Sequence, residues 1–318
     1  MNVCITGGTG YIGHLLAMRL RGAGAEIRVL TRKKICTDSG IDYFTADLSD
    51  QSCSLRGFFN DADVVFHCAG EINNPAAMRS IHVQGTGALL GTLREHIANT
   101  KKAIHWVQLS SVGAYGPPHD RANSVREVFE ETPTAPIGEY EITKTISDKL
   151  VMDFAKTEPL FTYSILRPSI VVGENMTNQS VRSLVRIIRK RLFFYIGSEP
   201  AVATYIHIDD VVDALILCAN DSRAKGQIFN LSNDCMLSDI VDAVSLKAGV
   251  NPPKLHVPER AIRIFVKFIS LFVRLPLTPD RIDAMVKRTR YPNQKIKAIL
   301  GFAPRHSIPE TIAMMFHE

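Results

Sequence analysis

The first half of the chain alternates short apolar runs, rich in β-branched residues, with longer stretches of helical apolar spacing. That rhythm predicts a parallel sheet joined by crossover helices. Strands are expected at Asn2–Thr6, Glu26–Thr31, Asp42–Thr45, Val64–His67, His105–Leu109 and Thr162–Arg167. They lack strict alternation, as strands covered on both faces should. Helices are expected at Tyr11–Gly22, Pro75–Glu95 and Ile137–Thr157, followed by a strand at Thr204–Ile208, a helix at Asp210–Ala219 and a last strand at Gln227–Leu231.

Two stretches break this rhythm. Glu174–Pro200 is basic and helical, and Asn233–Glu318 carries helices, several prolines and little strand pattern. The expected division is therefore a sheet domain of residues 1–173 with 204–232, and a mainly helical cap of residues 174–203 with 233–318. A cap at the carboxyl ends of parallel strands would close over a ligand.

Composition adds little to this picture except in where the charge falls. The 318 residues carry a net charge of +5. Arg182, Arg186, Arg189, Lys190 and Arg191 form one basic run, and Arg260, Arg263, Lys267 and Arg274 a second. Neither contains a nucleic-acid motif. A negatively charged small substrate suits so local an excess, and a solvated helix face is the plain alternative. The six cysteines, Cys4, Cys36, Cys53, Cys68, Cys218 and Cys235, show no metal-ligand spacing and read as reduced thiols of a cytoplasmic protein. Val3-Cys4-Ile5 already reads as the first strand, so no signal peptide is expected. No apolar run has the length of a membrane span.

The join between the first strand and first helix reads Thr6-Gly7-Gly8-Thr9-Gly10-Tyr11-Ile12-Gly13. Gly7 permits the tight turn, Gly10 a close approach to a pyrophosphate, and Gly13 tight helix–strand packing, with the helix N-terminus facing the anion. A glycine pattern in that context makes Gly7, Thr9, Gly10, Tyr11, Ile12 and Gly13 a dinucleotide loop, and the fold an α/β, Rossmann-type doubly wound parallel sheet with a smaller helical lobe. The second strand ends in Thr31-Arg32-Lys33-Lys34, with no acid for a ribose 2′-hydroxyl. Arg32 is suited to a 2′-phosphate, so NADP is favoured over NAD. Asp47-Leu48 follows the third strand where an adenine edge is read.

Tyr140 and Lys144 lie four residues apart on a predicted helix, hence on one face. A neighbouring ammonium is expected to lower the phenol from its ordinary pKa near ~10. Such a tyrosine exchanges a proton with a substrate oxygen while hydride moves to or from a nicotinamide. Lys144 also reaches toward the nicotinamide ribose in this reading. Leu109-Ser110-Ser111-Val112-Gly113-Ala114-Tyr115-Gly116 ends a strand with hydroxyls at its carboxyl end. Ser111 is the candidate to hold the substrate oxygen beside Tyr140, and Ser110 a candidate substrate contact.

With TGGTGYIG at Thr6, DL at Asp47, VVFHCAG at Val64, the serine strand, YxxxK, LRPSIVVG at Leu166 and YIHIDDVVDA at Tyr205, the chain resembles the extended short-chain dehydrogenases/reductases of the NAD-dependent epimerase/dehydratase type over nearly its whole length. The resemblance implies Ser111 as the catalytic serine, because it lies four residues before Tyr115 of the -YG ending. It implies cofactor contacts at Cys68, Ala69 and Gly70, and nicotinamide contacts at Arg167, Pro168 and Ser169. One departure is His82, where relatives carry an asparagine; a packed or hydrogen-bonded role is expected for it rather than that of a catalytic base. His207 is likewise expected to be structural.

The residues after Ser111 narrow the reaction. Relatives that act as 4,6-dehydratases place an Asp-Glu pair there, and relatives of the GDP-fucose synthase type place a cysteine two residues beyond the serine; this chain has Val112-Gly113. Oxidation–reduction at one secondary alcohol or ketone remains, as a 4-keto reductase or a 4-epimerase. The basic helix with Arg182 and Arg186 favours a nucleotide-sugar substrate. The region 258–276, with Ile262, Phe265, Val266, Ile269, Phe272 and Val273 in an apolar stripe, resembles the cap of 3β-hydroxysteroid dehydrogenase-like relatives of apolar ketones. That stripe with its flanking cations is also suited to lying on a membrane surface, or to packing within the cap. A non-catalytic NADP-binding sensor is the reading from outside enzymology. The resemblance further implies a homodimer paired through the helices near 75–95 and 137–157. No metal site is expected.

Overall fold

The computed structural model describes residues 1–35, 40–117, 125–176, 178–198, 201–269 and 277–315. Cys36, Phe272, Val273 and Arg274 lie outside them.

Seven parallel strands form the central sheet: β1 Asn2–Thr6, β2 Glu26–Thr31, β3 Asp42–Thr45, β4 Val64–His67, β5 Ile104–Leu109, β6 Phe161–Pro168 and β7 Gln227–Leu231. Their order is β7-β6-β5-β4-β1-β2-β3, so the sheet is doubly wound and reverses direction between β1 and β4. A crevice opens at such a reversal, outside the strand carboxyl ends. The strands pair in register, with Thr6 opposite Leu30 on one side and His67 on the other.

Period-two alternation sorts each strand between two cores. Val3, Ile5, Val64, Phe66, Val107 and Leu109 face one core, built with the helices Tyr11–Gly22, Ile208–Asn220 and Gln294–Leu300. Cys4, Val65, Ile104 and Trp106 face the other, under Thr86–Thr100 and Glu139–Thr157. Five of the six cysteines fall within the described residues, and all five are free thiols.

The expected long helix from Pro75 is three pieces: an α-helix Pro75–Arg79, a π-helical segment Ser80–Gly85, and an α-helix Thr86–Thr100. The wider π turn has a packing cause. A Cβ at Gly85 would lie 2.9 Å from both the Cβ and the carbonyl oxygen of Leu48, so the backbone there is pressed against the chain that follows β3. The basic stretch holds a helix at Gln179–Arg189, capped by Asn178, and then a two-residue strand Tyr195–Ile196 paired with His256–Val257. The C-terminal part is helical, as expected. Its helix Leu237–Lys247 shares a core with Gln179–Arg189 and Ile308–Met314. Among the described residues no helix is long and apolar enough to cross a membrane.

A chain of buried polar side chains crosses the second core beneath the sheet's carboxyl edge. Trp106 Nε1 donates to Gln108 Oε1 (2.8 Å), and Gln108 Nε2 donates to Ser147 Oγ (2.9 Å). Ser147 meets Thr86 (2.9 Å), Thr86 meets His67 Nε2 (3.1 Å), and His67 Nδ1 meets Thr6 Oγ1 (2.7 Å). Each hydroxyl satisfies the next, as burial in an apolar layer demands. The result ties the helix Glu139–Thr157 to the first strand.

Burial also holds histidines neutral. It pushes His105, held by Thr162 and Ser164, down to about 4, and His67 well below the usual 6.5. Between those values the unfolded chain binds protons that the folded chain refuses. Their stabilisation is therefore complete above the unfolded value of 6.5 and is lost as pH falls toward the folded one. Urea midpoints at about pH 7.5 and about pH 4.5 should show the loss, and a His105→Gln variant should show a smaller one. An equal drop in both proteins would remove His105 from the account.

Candidate active site and dinucleotide cleft

The glycine loop is shaped by contacts that leave no room for side chains. Gly7 has φ +69°, and a Cβ there would lie 2.7 Å from the Ala69 nitrogen and the Cys68 carbonyl carbon. A Cβ on Gly13 would lie 2.2 Å from the Gly7 oxygen, and one on Gly10 would lie 3.2 Å from it. The segment Cys68-Ala69-Gly70 is thereby pressed against the loop, fixed further by the Ala69 amide donating to Thr6 Oγ1 (3.2 Å). Gly10 caps the helix Tyr11–Gly22 with no side-chain hydrogen bond, which leaves the first-turn amides facing outward. The Tyr11 hydroxyl is buried and has no hydrogen-bond partner. An open helix N-terminus behind a turn kept free of side chains fits the pyrophosphate of a dinucleotide.

Arg32 is exposed just after β2, and its charge acts on Glu71 beyond β4. The Glu71 carboxyl is held below its usual range by the amides of Asn73 and Asn74, with Arg32 adding to the effect. Asp47 accepts from the Ser49 amide (2.9 Å) and hydroxyl (2.7 Å), and Leu48 is buried against Gly85. Both stand after β3 on the β1–β2–β3 half of the sheet. Pro168 ends β6. Ser169 is buried, its amide bonded to Leu231 and its hydroxyl to Ser232.

Ser111 caps a short 3₁₀ turn, Val112–Tyr115, its Oγ accepting from the Gly113 amide (3.1 Å). The turn packs against the start of Glu139–Thr157, because a Cβ at Gly113 would lie 2.5 Å from Glu141 Cγ. The strand end carrying Ser111 is thus brought beside the helix turn carrying Tyr140. Tyr140 is half-buried and Lys144 is buried, one turn apart.

Two expectations need correction. Ser110, expected to touch substrate, is buried and its hydroxyl donates to Asp148 Oδ2 (2.7 Å), so it is a structural donor. Tyr140 is not lowered. Burial, with the carboxylates of Glu141 and Asp148, pushes its phenol up to about 12. Desolvation of a phenolate outweighs whatever the ammonium contributes. Burial likewise lowers Lys144, opposed by the nearby Asp148 carboxylate.

Asp148 was missed by sequence reasoning, though it stands one turn past Lys144 at the i+4 spacing. It is fully buried, accepts from Arg167 Nε (3.3 Å) and Nη2 (3.2 Å), and is raised by burial against the opposing Arg167 charge. Its Oδ1 has no hydrogen-bond partner. Arg167 lies under the Tyr115 ring, 5.0 Å from guanidinium carbon to centroid.

His82 is a strut, as its packed role required. Its Nε2 accepts from the Glu71 amide (2.8 Å), so Nδ1 carries the proton and donates to Thr143 Oγ1 (2.8 Å), between Tyr140 and Lys144. Its ring also meets Tyr140 edge-on, centroids 5.6 Å apart. Burial pushes it down to about 3, with Lys144 adding to the effect, so it stays neutral. His207 caps the helix Ile208–Asn220 by accepting from the Asp209 amide and stacks on His306, again a structural role.

The basic helix Gln179–Arg189 packs through Val181, Val185 and Ile188 into the core that Tyr11 also touches. Arg182 donates to the Met176 carbonyl (3.1 Å), while Arg186 is exposed one turn on.

Comparison with known proteins agrees with this geometry. Residues 3–232 match the NAD dependent epimerase/dehydratase family. A sterol-4-alpha-carboxylate 3-dehydrogenase of Bos taurus is 24% identical, with 97% of this chain and 89% of that protein aligned. A dihydroflavonol 4-reductase of Arabidopsis thaliana is 26% identical, covering 97% and 79%. Among solved structures, UDP-glucuronic acid 4-epimerase from Bacillus cereus in complex with NAD superposes with a TM-score of 0.73 at 16% identity, covering 99% of this chain and 95% of that one. The α/β sheet, the glycine loop and the match over most of the chain establish that it belongs to the NAD dependent epimerase/dehydratase family, the extended short-chain dehydrogenases/reductases.

Proposed function

We propose that this protein is an NADP(H)-dependent oxidoreductase that interconverts a secondary alcohol and a ketone on a nucleotide sugar, as a 4-keto reductase in preference to a 4-epimerase. The observation that carries this reading is the neutral Tyr140 phenol, pushed up to about 12, on a helix whose next turn buries Lys144 and whose first turn packs against the Ser111 segment. A positioned phenol gives its proton in the reductive half of either reaction, and the basic end of β2 at Arg32, suited to an NADP(H) that is released after each turnover, favours the reductase.

Gly7, Thr9, Gly10, Tyr11, Ile12 and Gly13 would hold the pyrophosphate, Arg32 the 2′-phosphate, and Lys144 the nicotinamide ribose. The bound cofactor supplies or accepts the hydride. Ser111 holds the substrate oxygen by a hydrogen bond, and Tyr140 gives that oxygen its proton or takes it back. Lys144, buried and cationic beside Asp148, favours negative charge developing on the phenol oxygen. Exposed Arg186 supplies a cation for a substrate diphosphate.

A second reading, reduction of an apolar ketone, is favoured by the sterol dehydrogenase and dihydroflavonol reductase among the sequence relatives. Turnover of NADPH with UDP-, dTDP-, GDP- and CDP-linked keto sugars, set beside apolar ketones, separates the two. Turnover confined to apolar ketones would overturn the sugar assignment.

Cofactor choice has its own test. Arg32→Ala should weaken NADP binding by about tenfold or more, as loss of a charge-assisted phosphate contact does, and leave NAD nearly unchanged. Equal weakening of both, measured by fluorescence titration, would take the 2′-phosphate role from Arg32.

A further inference from the structure

Glu141 follows Tyr140 in the chain, and its side chain occupies space that two glycines leave open. A Cβ on Gly113 would lie 2.5 Å from Glu141 Cγ and 3.3 Å from Ser111 Oγ, so the Glu141 stem and the Ser111 hydroxyl flank a single point. A Cβ on Gly138 would lie 2.1 Å from Glu141 Oε2, which sets the carboxylate over the start of the helix Glu139–Thr157. The acid is thereby held where the serine turn meets the helix turn of the tyrosine. Its charge there adds to the rise of the Tyr140 phenol.

What this carboxylate lacks is a donor. Glu139, in the same helical turn, pairs with Arg79 at 3.6 Å. Glu141 is half-buried, and among the described residues no hydrogen bond or ion pair engages its carboxylate. An acid partly withdrawn from water gains most from a donor that a ligand brings, and a bond to a charged acceptor is about twice as strong as a neutral one. Donors and acceptor then stand in a fixed order. Ser111 and Tyr140 give hydrogen bonds to the reacting oxygen, and Glu141 takes one beside them. A carbonyl on one carbon and a hydroxyl on the next match that order, as does a vicinal diol in the oxidative direction. We propose that Glu141 is a specificity-determining residue, accepting a hydrogen bond from a substrate hydroxyl on the carbon next to the reacting one. The role rests on the carbonyl–alcohol reading above and narrows it to hydroxyketones, the class to which keto sugars belong. A site built to bond a hydroxyl rejects the analogue without it, because the acceptor is then left unpaired.

The experiment follows NADPH oxidation by the full chain with 2-hydroxycyclohexanone and with cyclohexanone, a pair differing only in the neighbouring hydroxyl. The parent protein should favour the hydroxyketone by at least about tenfold in kcat/KM. Glu141→Met keeps a stem over Gly113 and removes the acceptor, so its preference should fall to within about twofold of none. Glu141→Gln keeps a neutral acceptor and should hold an intermediate preference. Equal losses on both ketones, the mark of altered packing or of an effect through Tyr140, overturn the proposal. So does a parent protein without the preference, or without turnover of the hydroxyketone. Should thermal unfolding show Glu141→Met to be unfolded, Glu141→Gln decides, and a preference equal to the parent's overturns the role. Tyr140→Phe, run on both ketones, keeps the two readings apart. Lost turnover there, beside an undiminished preference in Glu141→Met, sinks the role of Glu141 alone; retained turnover sinks the carbonyl–alcohol reading beneath it.

Discussion

Tyr140→Phe should lower kcat by about 10²- to 10⁴-fold, the range for loss of a positioned proton donor, while cofactor affinity stays within a factor of about two. The phenol hydroxyl is the atom removed, and its ring remains to fill the contact with His82. Tyr140 has no part in the glycine loop, which is fixed by Gly7, Gly13 and Cys68–Ala69. Single-turnover absorbance at the reduced-nicotinamide band reads the chemical step apart from release. Unchanged turnover would remove Tyr140 from the mechanism. The pH profile carries a second expectation. With Tyr140 pushed up to about 12 in the free protein, reduction should not decline through neutral pH on account of that group.

Arg167→Met should cost about 3–5 kcal/mol of folding stability, the usual effect of removing one partner of a buried ion pair. Asp148 would then keep a carboxylate in the core with the Ser110 hydroxyl donating to it at 2.7 Å. Burial already raises Asp148, so its folded pKa lies above the unfolded one. A raised acid stabilises the fold below its unfolded pKa and loses that contribution as pH rises. The deficit of Arg167→Met should therefore shrink as acid protonates Asp148. The double variant Arg167→Met/Asp148→Leu should recover much of the loss, because two apolar side chains leave no orphaned charge. Urea unfolding of the three proteins measures this; a deficit below about 1 kcal/mol for the single variant would mean the pair is effectively solvated.

Much of the frame was legible because its signals are local. Glu26–Thr31, Val64–His67 and Gln227–Leu231 are apolar runs with sharp polar or glycine borders, and the structure begins and ends them at those residues. Tyr11–Gly22 begins at a glycine loop and ends at glycine, so both of its boundaries are written in the chain. The π turn at Ser80–Gly85 is different. It depends on Leu48 pressing on Gly85 and on His82 spanning Glu71 and Thr143, contacts between segments far apart in sequence. The Asp148–Arg167 pair escaped notice for the same reason, since Ser110 and Arg167 come from neighbouring strands while Asp148 comes from the helix above. Ser110 and Ser111 are adjacent and chemically alike, and only the pleat sends one inward to Asp148 and leaves the other at the strand mouth. At Tyr140 the helical spacing reports the neighbouring cation but not the burial that raises the phenol.

Gly113 limits how this catalytic apparatus can change over evolutionary time. Its missing side chain is occupied space: Glu141 Cγ would stand 2.5 Å from any Cβ placed there. A single codon change to cysteine would therefore produce a clash before it produced a reactive thiol. A lineage leading from here to thiol-driven racemisation of a carbon acid must also turn aside or shorten Glu141, a step that brings no new chemistry by itself. The order of mutations is thus constrained by a contact outside the reacting groups, and a library that varies positions 113 and 141 together should reach variants that stepwise selection does not.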